Sequence, residues 1–116
     1  MKFLKKEYIE VTLDSFATII EFKNTFSDLG YTEEEVIGEN WFDLFIEGDD
    51  FVKIFEVFSG LFLLNNEKWE TYGNDITFKS DIHKSIDFSN EIIKVNGEKL
   101  LRFRGVERNS SVSDLK

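Results

Sequence analysis

Between residues 51 and 62 the chain places Phe51, Ile54, Phe55, Phe58, Leu61 and Phe62 at helical spacing, each with another of the set three or four positions away. That spacing lines one stripe of an α-helix; a strand, whose side chains alternate every two residues, would scatter it over both faces. A stripe this bulky must be covered, and the flanking sequence offers cover in a different period. Upstream, Ile9, Val11 and Leu13 alternate with polar residues, and Asp14-Ser15 marks a turn. Phe16, Thr18, Ile20 and Phe22 then share one face of a second strand, and the run of Ala17, Ile19 and Ile20 reads as burial partly on both sides. Downstream, residues 69–72 with 76–78, then Ile86, Phe88 and 92–95, then residues 100–106 read as three more strands. Asn96-Gly97 supplies a tight turn between the last two.

Residues 25–46 read as short helical pieces. Thr32 and Glu35 stand at capping-box spacing, where the hydroxyl accepts from an early amide and the carboxylate reaches back. Gly38 stops that helix, and Trp41, Phe42, Leu44 and Phe45 follow as an apolar cluster. Asp49 or Asp50 suits the start of the longer helix. The order of two strands, several helices and three strands predicts an α+β fold: a five-stranded antiparallel sheet with short helices and one longer helix packed on one face. Phe55 and Phe58 are expected to face the sheet. With no Pro, no Gly/Ser-rich stretch and no repeat, the chain reads as a single domain with its core at about 8–108 and a tail at 109–116.

The net charge of -9 sets the surface against phosphate backbones, and only Lys2, Lys5 and Lys6 cluster, so no nucleic-acid partner is expected. The longest nearly apolar run, residues 57–64, is far shorter than the roughly 20 residues that cross a bilayer, so no membrane contact is expected of this chain. The absence of Cys rules out disulfides, thiolate metal sites and a cysteine nucleophile, and fits a reducing, cytoplasmic setting. His83 is the only histidine and lies among polar residues. No catalytic cluster and no metal site emerge: Glu47, Asp49 and Asp50 lack the spacing of a calcium loop, and Glu33, Glu34 and Glu35 suit a helix N-terminus.

Asn24-Thr25-Phe26, then Gly30-Tyr31-Thr32-Glu33-Glu34-Glu35-Val36-Ile37-Gly38, then Trp41-Phe42-Asp43-Leu44-Phe45 together resemble the PAS family of sensor and signalling domains, over about residues 8–108. The chain departs from the family pattern in three places. Glu47-Gly48-Asp49-Asp50 has no Pro. Lys79 to His83 replace the usual Lys-Asp-Gly hairpin. Glu107-Arg108-Asn109 replaces the closing Asp-x-Thr.

The resemblance implies a regulatory sensor or interaction module of a signalling protein such as a two-component system, not an enzyme, and the lack of Pro with rich use of Lys, Asn, Ile and Phe points to a bacterium. Its signal would pass to an output domain outside these residues. Two other readings stay open: a ligand-free dimerisation module and a small α+β enzyme. In the family the long helix and the facing sheet bound the ligand cavity. That implies Trp41, Phe51, Phe55, Phe58, Phe62, Ile76, Phe78 and Phe103 as pocket candidates. No cofactor is expected. Residues 49–63 hold no His, Cys or Met, which argues against haem, and the missing Cys removes covalent flavin and chromophore chemistry. Non-covalent flavin stays open, with Trp41 as the ring to stack on it. PAS domains commonly dimerise through the outer sheet face or the segment before the first strand. That marks Phe3, Leu4, Tyr8 and Ile9 as homodimer candidates.

Overall fold

Five strands form one antiparallel sheet: β1 (Tyr8–Leu13), β2 (Ile19–Asn24), β3 (Thr71–Thr77), β4 (His83–Val95) and β5 (Glu98–Glu107), in the order β2-β1-β5-β4-β3. The structure, a computed structural model, describes residues 7–26, 28–46, 48–63, 71–79 and 81–107. Between β2 and β3 come α1 (Glu33–Val36), α2 (Trp41–Phe45), a 3-10 turn at Gly48–Asp50, and α3 (Phe51–Leu63). The α+β reading therefore holds, with β4 longer than the sequence suggested. Trp69 and Glu70 lie outside the described residues.

The alternation of β1 works as expected. Ile9, Val11 and Leu13 are buried, opposite Gly105, Phe103 and Leu101 of β5. On β4, Ile86, Phe88, Asn90 and Ile92 share that inner face. The polar side chains point the other way: Arg102 lies 3.8 Å from Glu21 and 4.0 Å from Glu91, and the Thr12 hydroxyl donates to Glu21 at 2.9 Å.

β2 corrects the sequence reading. Its register against β1 jumps at Ile20: Thr12 faces Glu21, yet Leu13 faces Ile19. The extra residue is a bulge, and a bulge exchanges the two faces of a strand. Ile19 and Phe22 are consequently buried, Ile20 is partly exposed, and Phe16 is 79% exposed in the turn. That turn is tied by Asp14, whose carboxylate accepts from the amides of Phe16 and Thr18 at 2.8 and 2.9 Å.

The helical stripe is rotated from the expected one. Ile54, Val57, Phe58, Leu61 and Phe62 are buried, whereas Phe51 and Phe55 are 43% and 46% exposed. Residues 54, 57, 58 and 61 are the set that one helix face presents to a flat partner; Val57 holds the place expected of Phe55. Phe51 and Phe55 instead stack on each other at 5.6 Å, and meet Phe42 edge-on at 5.3 Å and tilted at 6.0 Å respectively.

α1 begins where the sequence put it. Thr32 Oγ1 accepts from the Glu35 amide and Glu35 Oε1 accepts from the Thr32 amide. Asn40 caps α2, accepting from the amides of Phe42 and Asp43. Gly30 lies at φ +88, and a Cβ there would come within 2.9 Å of the Lys79 Cβ, so only glycine lets the loop before α1 lie this close to the β3–β4 turn.

Candidate functional site: an apolar cavity under the long helix

Trp41 is the fixed point of the site. Its amide donates to the Ala17 carbonyl at 2.9 Å, and the side chain of Asn40, just before it, donates to the Phe16 carbonyl at 3.1 Å. The β1–β2 turn thus sets where α2 starts, and α2 aims the indole into the core. There it stacks on Phe45 at 4.5 Å and meets the edges of Phe103 at 4.8 Å and Phe88 at 6.4 Å.

Beside Trp41 an apolar cavity of about 40 Å³ opens between α3 and the sheet. α3 contributes Ile54, Val57, Phe58 and Leu61; α2 adds Trp41 and Phe42. The sheet supplies Leu13, Phe88, Leu101 and Phe103, with Asn90 as its polar side chain. A water-sized group needs roughly 10–15 Å³ by this measure. The cavity as it stands therefore takes a short apolar group and no ring system. With Phe45 and Phe103 against Trp41, a flavin stacked there requires both to move.

Of the pocket candidates, the structure brings Trp41, Phe58 and Phe103 together on the cavity. Phe62, Ile76 and Phe78 are buried in the core but do not line it, and Phe51 and Phe55 lie on the partly exposed side of α3. Phe42, Phe88 and Asn90 are cavity residues that sequence reasoning missed. Phe88 and Asn90 had a signal, since both share the parity of Ile86 and Ile92; Phe42 had none. Among the dimer candidates, Phe3 and Leu4 lie outside the described residues. Ile9 is 0% exposed and belongs to the core, which corrects its place on an outer surface. Tyr8 lies under the Arg104 guanidinium at 3.9 Å.

Two ion-pair clusters tie elements of the fold together. Lys79 Nζ lies 2.6 Å from Glu35 Oε2, joining the β3–β4 turn to α1. The hydrogen bond from Lys79 holds the Glu35 carboxyl below its usual range, and the same bond holds the Lys79 ammonium above its own. Lys84 bridges Asp28 at 3.3 Å and Glu107, at the end of β5, at 3.5 Å. Burial pulls its ammonium down, but the two carboxylates outweigh that and leave it raised. On the outer face a polar groove of about 400 Å³ runs past Glu10, Glu21, Lys23 and Arg102. Arg102 there already pairs with Glu21, which also accepts from Thr12, so the smaller apolar cavity is the better candidate. Among the described residues no three His, Cys, Asp or Glu side chains group to hold a metal. No helix among them is long and apolar enough to cross a membrane.

No protein-family model matches the chain, and no curated protein matches its sequence. Solved structures match its shape. The PAS domain of the RpfR quorum-sensing receptor of Cronobacter turicensis, in complex with C12:0, superposes with a TM-score of 0.66 at 23% identity, over 94% of this chain and 100% of that one. PAS-B of Drosophila melanogaster Cycle, with bound ethylene glycol, gives 0.68 at 9% identity, over 86% and 99%. This chain has the PAS fold. A PAS domain from Colwellia psychrerythraea agrees, at 0.60 and 22% identity over 88% and 85%. The breadth of these matches rests on strand order and helix placement, because so little sequence is shared. Within this fold the apolar cavity lies under α3, the longest helix among the described residues.

Proposed function

We propose that this PAS domain is a sensor module. It binds a small, largely apolar molecule between α3 and the sheet, through Trp41, Phe58 and Phe103 with Phe42, Phe88 and Asn90. It passes the change to an output domain of a signalling protein, performs no catalysis, and works in the cytoplasm of a bacterium. The observation that carries this reading is the apolar cavity with one polar side chain, the usual composition of a ligand site. The Cronobacter domain, solved with C12:0, supports it. A ligand with more than a few heavy atoms pushes α3 away from the sheet, so it binds the opened arrangement better and shifts the population toward it. Glu107, held by Lys84 at the end of β5, is where that shift leaves the sheet.

We further propose that the domain works as a two-fold homodimer, with Phe3, Leu4 and Tyr8 in the contact. The small size of the cavity favours a second reading, a PAS dimerisation module whose core is simply filled. Mass spectrometry and an absorbance scan of material released from the purified, denatured protein separate the two. A bound apolar compound is expected. A chain that releases nothing, and whose thermal midpoint no apolar compound raises, leaves the dimerisation module.

A further inference from the structure

Two cations stand just beyond the cavity. Lys94 and Lys99 are cross-strand partners near the tip of the β4–β5 hairpin. The register from Asn90 to Lys94 and from Lys99 to Phe103 is unbroken, so both lysines share the inner face with the cavity residues Asn90 and Leu101. Lys99 is two residues from Leu101, about 7 Å along the strand, within the reach of a lysine side chain. The half-buried Lys99 ammonium donates to the Phe62 carbonyl in the last turn of α3. Lys94 is exposed. Among the described residues no carboxylate lies within ion-pairing distance of either ammonium.

Like charges directly opposite on a sheet destabilise it. Lys99 has a return, since it closes the negative end of α3. Lys94 has none within the described fold, in a chain with 23 acidic residues that could have balanced it. An anion placed between the two ammonium groups removes the repulsion. We infer that the ligand is an unbranched alkyl carboxylate, its chain between α3 and the sheet and its carboxylate held by Lys94 and Lys99. This inference rests on the sensing reading above and names the ligand class for it.

The arrangement also couples binding to movement. The resting cavity admits only the first few chain atoms, so a longer chain lifts α3. The carboxylate meanwhile competes with the Phe62 carbonyl for the Lys99 ammonium, and so frees the last turn of the same helix. Head and chain act on one element in one direction.

The test is calorimetric titration of the whole chain with sodium octanoate and with 1-octanol, which share a tail and differ in charge. Octanoate is expected to bind about tenfold more tightly than octanol at low salt, the gain typical of charge-assisted hydrogen bonds. That margin should shrink as salt screens it. Lys94→Gln should remove most of the margin while leaving octanol affinity unchanged and raising the thermal midpoint slightly, because it relieves the repulsion from Lys99. Lys99→Gln should remove it too, with a lower thermal midpoint from the lost helix contact. Equal binding of octanoate and octanol, or an unchanged margin in Lys94→Gln, overturns the lysine assignment and leaves the apolar site standing. Binding of neither compound overturns the sensing reading, and the assignment with it.

Discussion

A Cβ placed on Gly105 would lie 2.7 Å from the ring of Phe88, its cross-strand partner, and 2.6 Å from Ile86 Cγ2. Neither neighbour is the free end of a flexible chain: both are fixed core groups, and Phe88 also walls the cavity. Gly105→Ala should therefore drive Phe88 toward the cavity and cost about 1–3 kcal/mol, as overpacking does. Urea unfolding should show a lower midpoint at unchanged slope. Adding Phe88→Leu should recover part of the loss, although that change alone destabilises. A Gly105→Ala chain as stable as the parent would mean that the ring is elsewhere.

The rotation of α3 separates two phenylalanines that the sequence treats alike. Phe58 is 8% exposed and touches Phe62 at 4.9 Å and Phe42 at 5.8 Å; Phe55 is nearly half exposed. Phe58→Ala should cost about 3 kcal/mol, the lower end of the range for buried phenylalanine, because the adjoining cavity already removes some contacts. Phe55→Ala should cost about 1 kcal/mol, mostly from its lost ring contacts with Phe51 and Phe42. Equal midpoints for the two mutants in urea would refute this orientation of the helix.

The strand–helix–strand order was legible because hydrophobic period alone sets it: two in β1 and β5, near 3.6 in α3. The cap at Thr32 was legible for a local reason, since its partner Glu35 lies three residues on. What period could not supply was phase. Ile20 looked inward by alternation, but a bulge is one residue of backbone geometry and leaves no mark on composition. Phe55 looked inward because aromatic bulk suggests burial; the choice between Phe55 and Val57 depends on how the helix meets a surface formed by residues forty positions away. The cavity was legible only in part for the same reason. Trp41, Phe58 and Phe103 stand out as large, whereas Phe88 and Asn90 reach it through strand pairing.

The Glu35–Lys79 pair gives a pH signature. Glu35 has its carboxyl pKa lowered in the folded state by Lys79, so its contribution is present above the ordinary carboxylate range and is lost as pH falls through the lowered value. Lys79 is raised by Glu35, so its contribution is present below the ordinary lysine pKa and is lost as pH rises through the raised one. Both groups are exposed, so the effect is small. A double-mutant cycle with Glu35→Gln and Lys79→Gln should give a coupling at pH 7 that fades in acid. Thermal melts in low salt at pH 7 and pH 3 measure it. A coupling unchanged at pH 3 would show that charge is not its source.

Ile9 changes how the proposed dimer must be tested. A chain cut at Glu10 loses a fully buried residue and the start of β1, where Ile9 pairs with both Asn24 and Gly105. A failure to associate would then report only a damaged sheet. A chain beginning at Glu7 removes Phe3 and Leu4 while keeping all of β1 and the Tyr8–Arg104 contact. In sedimentation equilibrium at high micromolar concentration the full chain should dimerise and the shortened one should be mainly monomeric. Each full chain carries a net charge of -9, so the protomers repel at long range, and moderate salt should tighten the full-length dimer modestly. Tyr8→Ser in the full chain should weaken it as well, without the fold-wide loss that an Ile9 substitution brings. Two monomeric species at every salt concentration would rule out contact through this segment. An unshifted dimer in the shortened chain would move the contact to another face of the sheet.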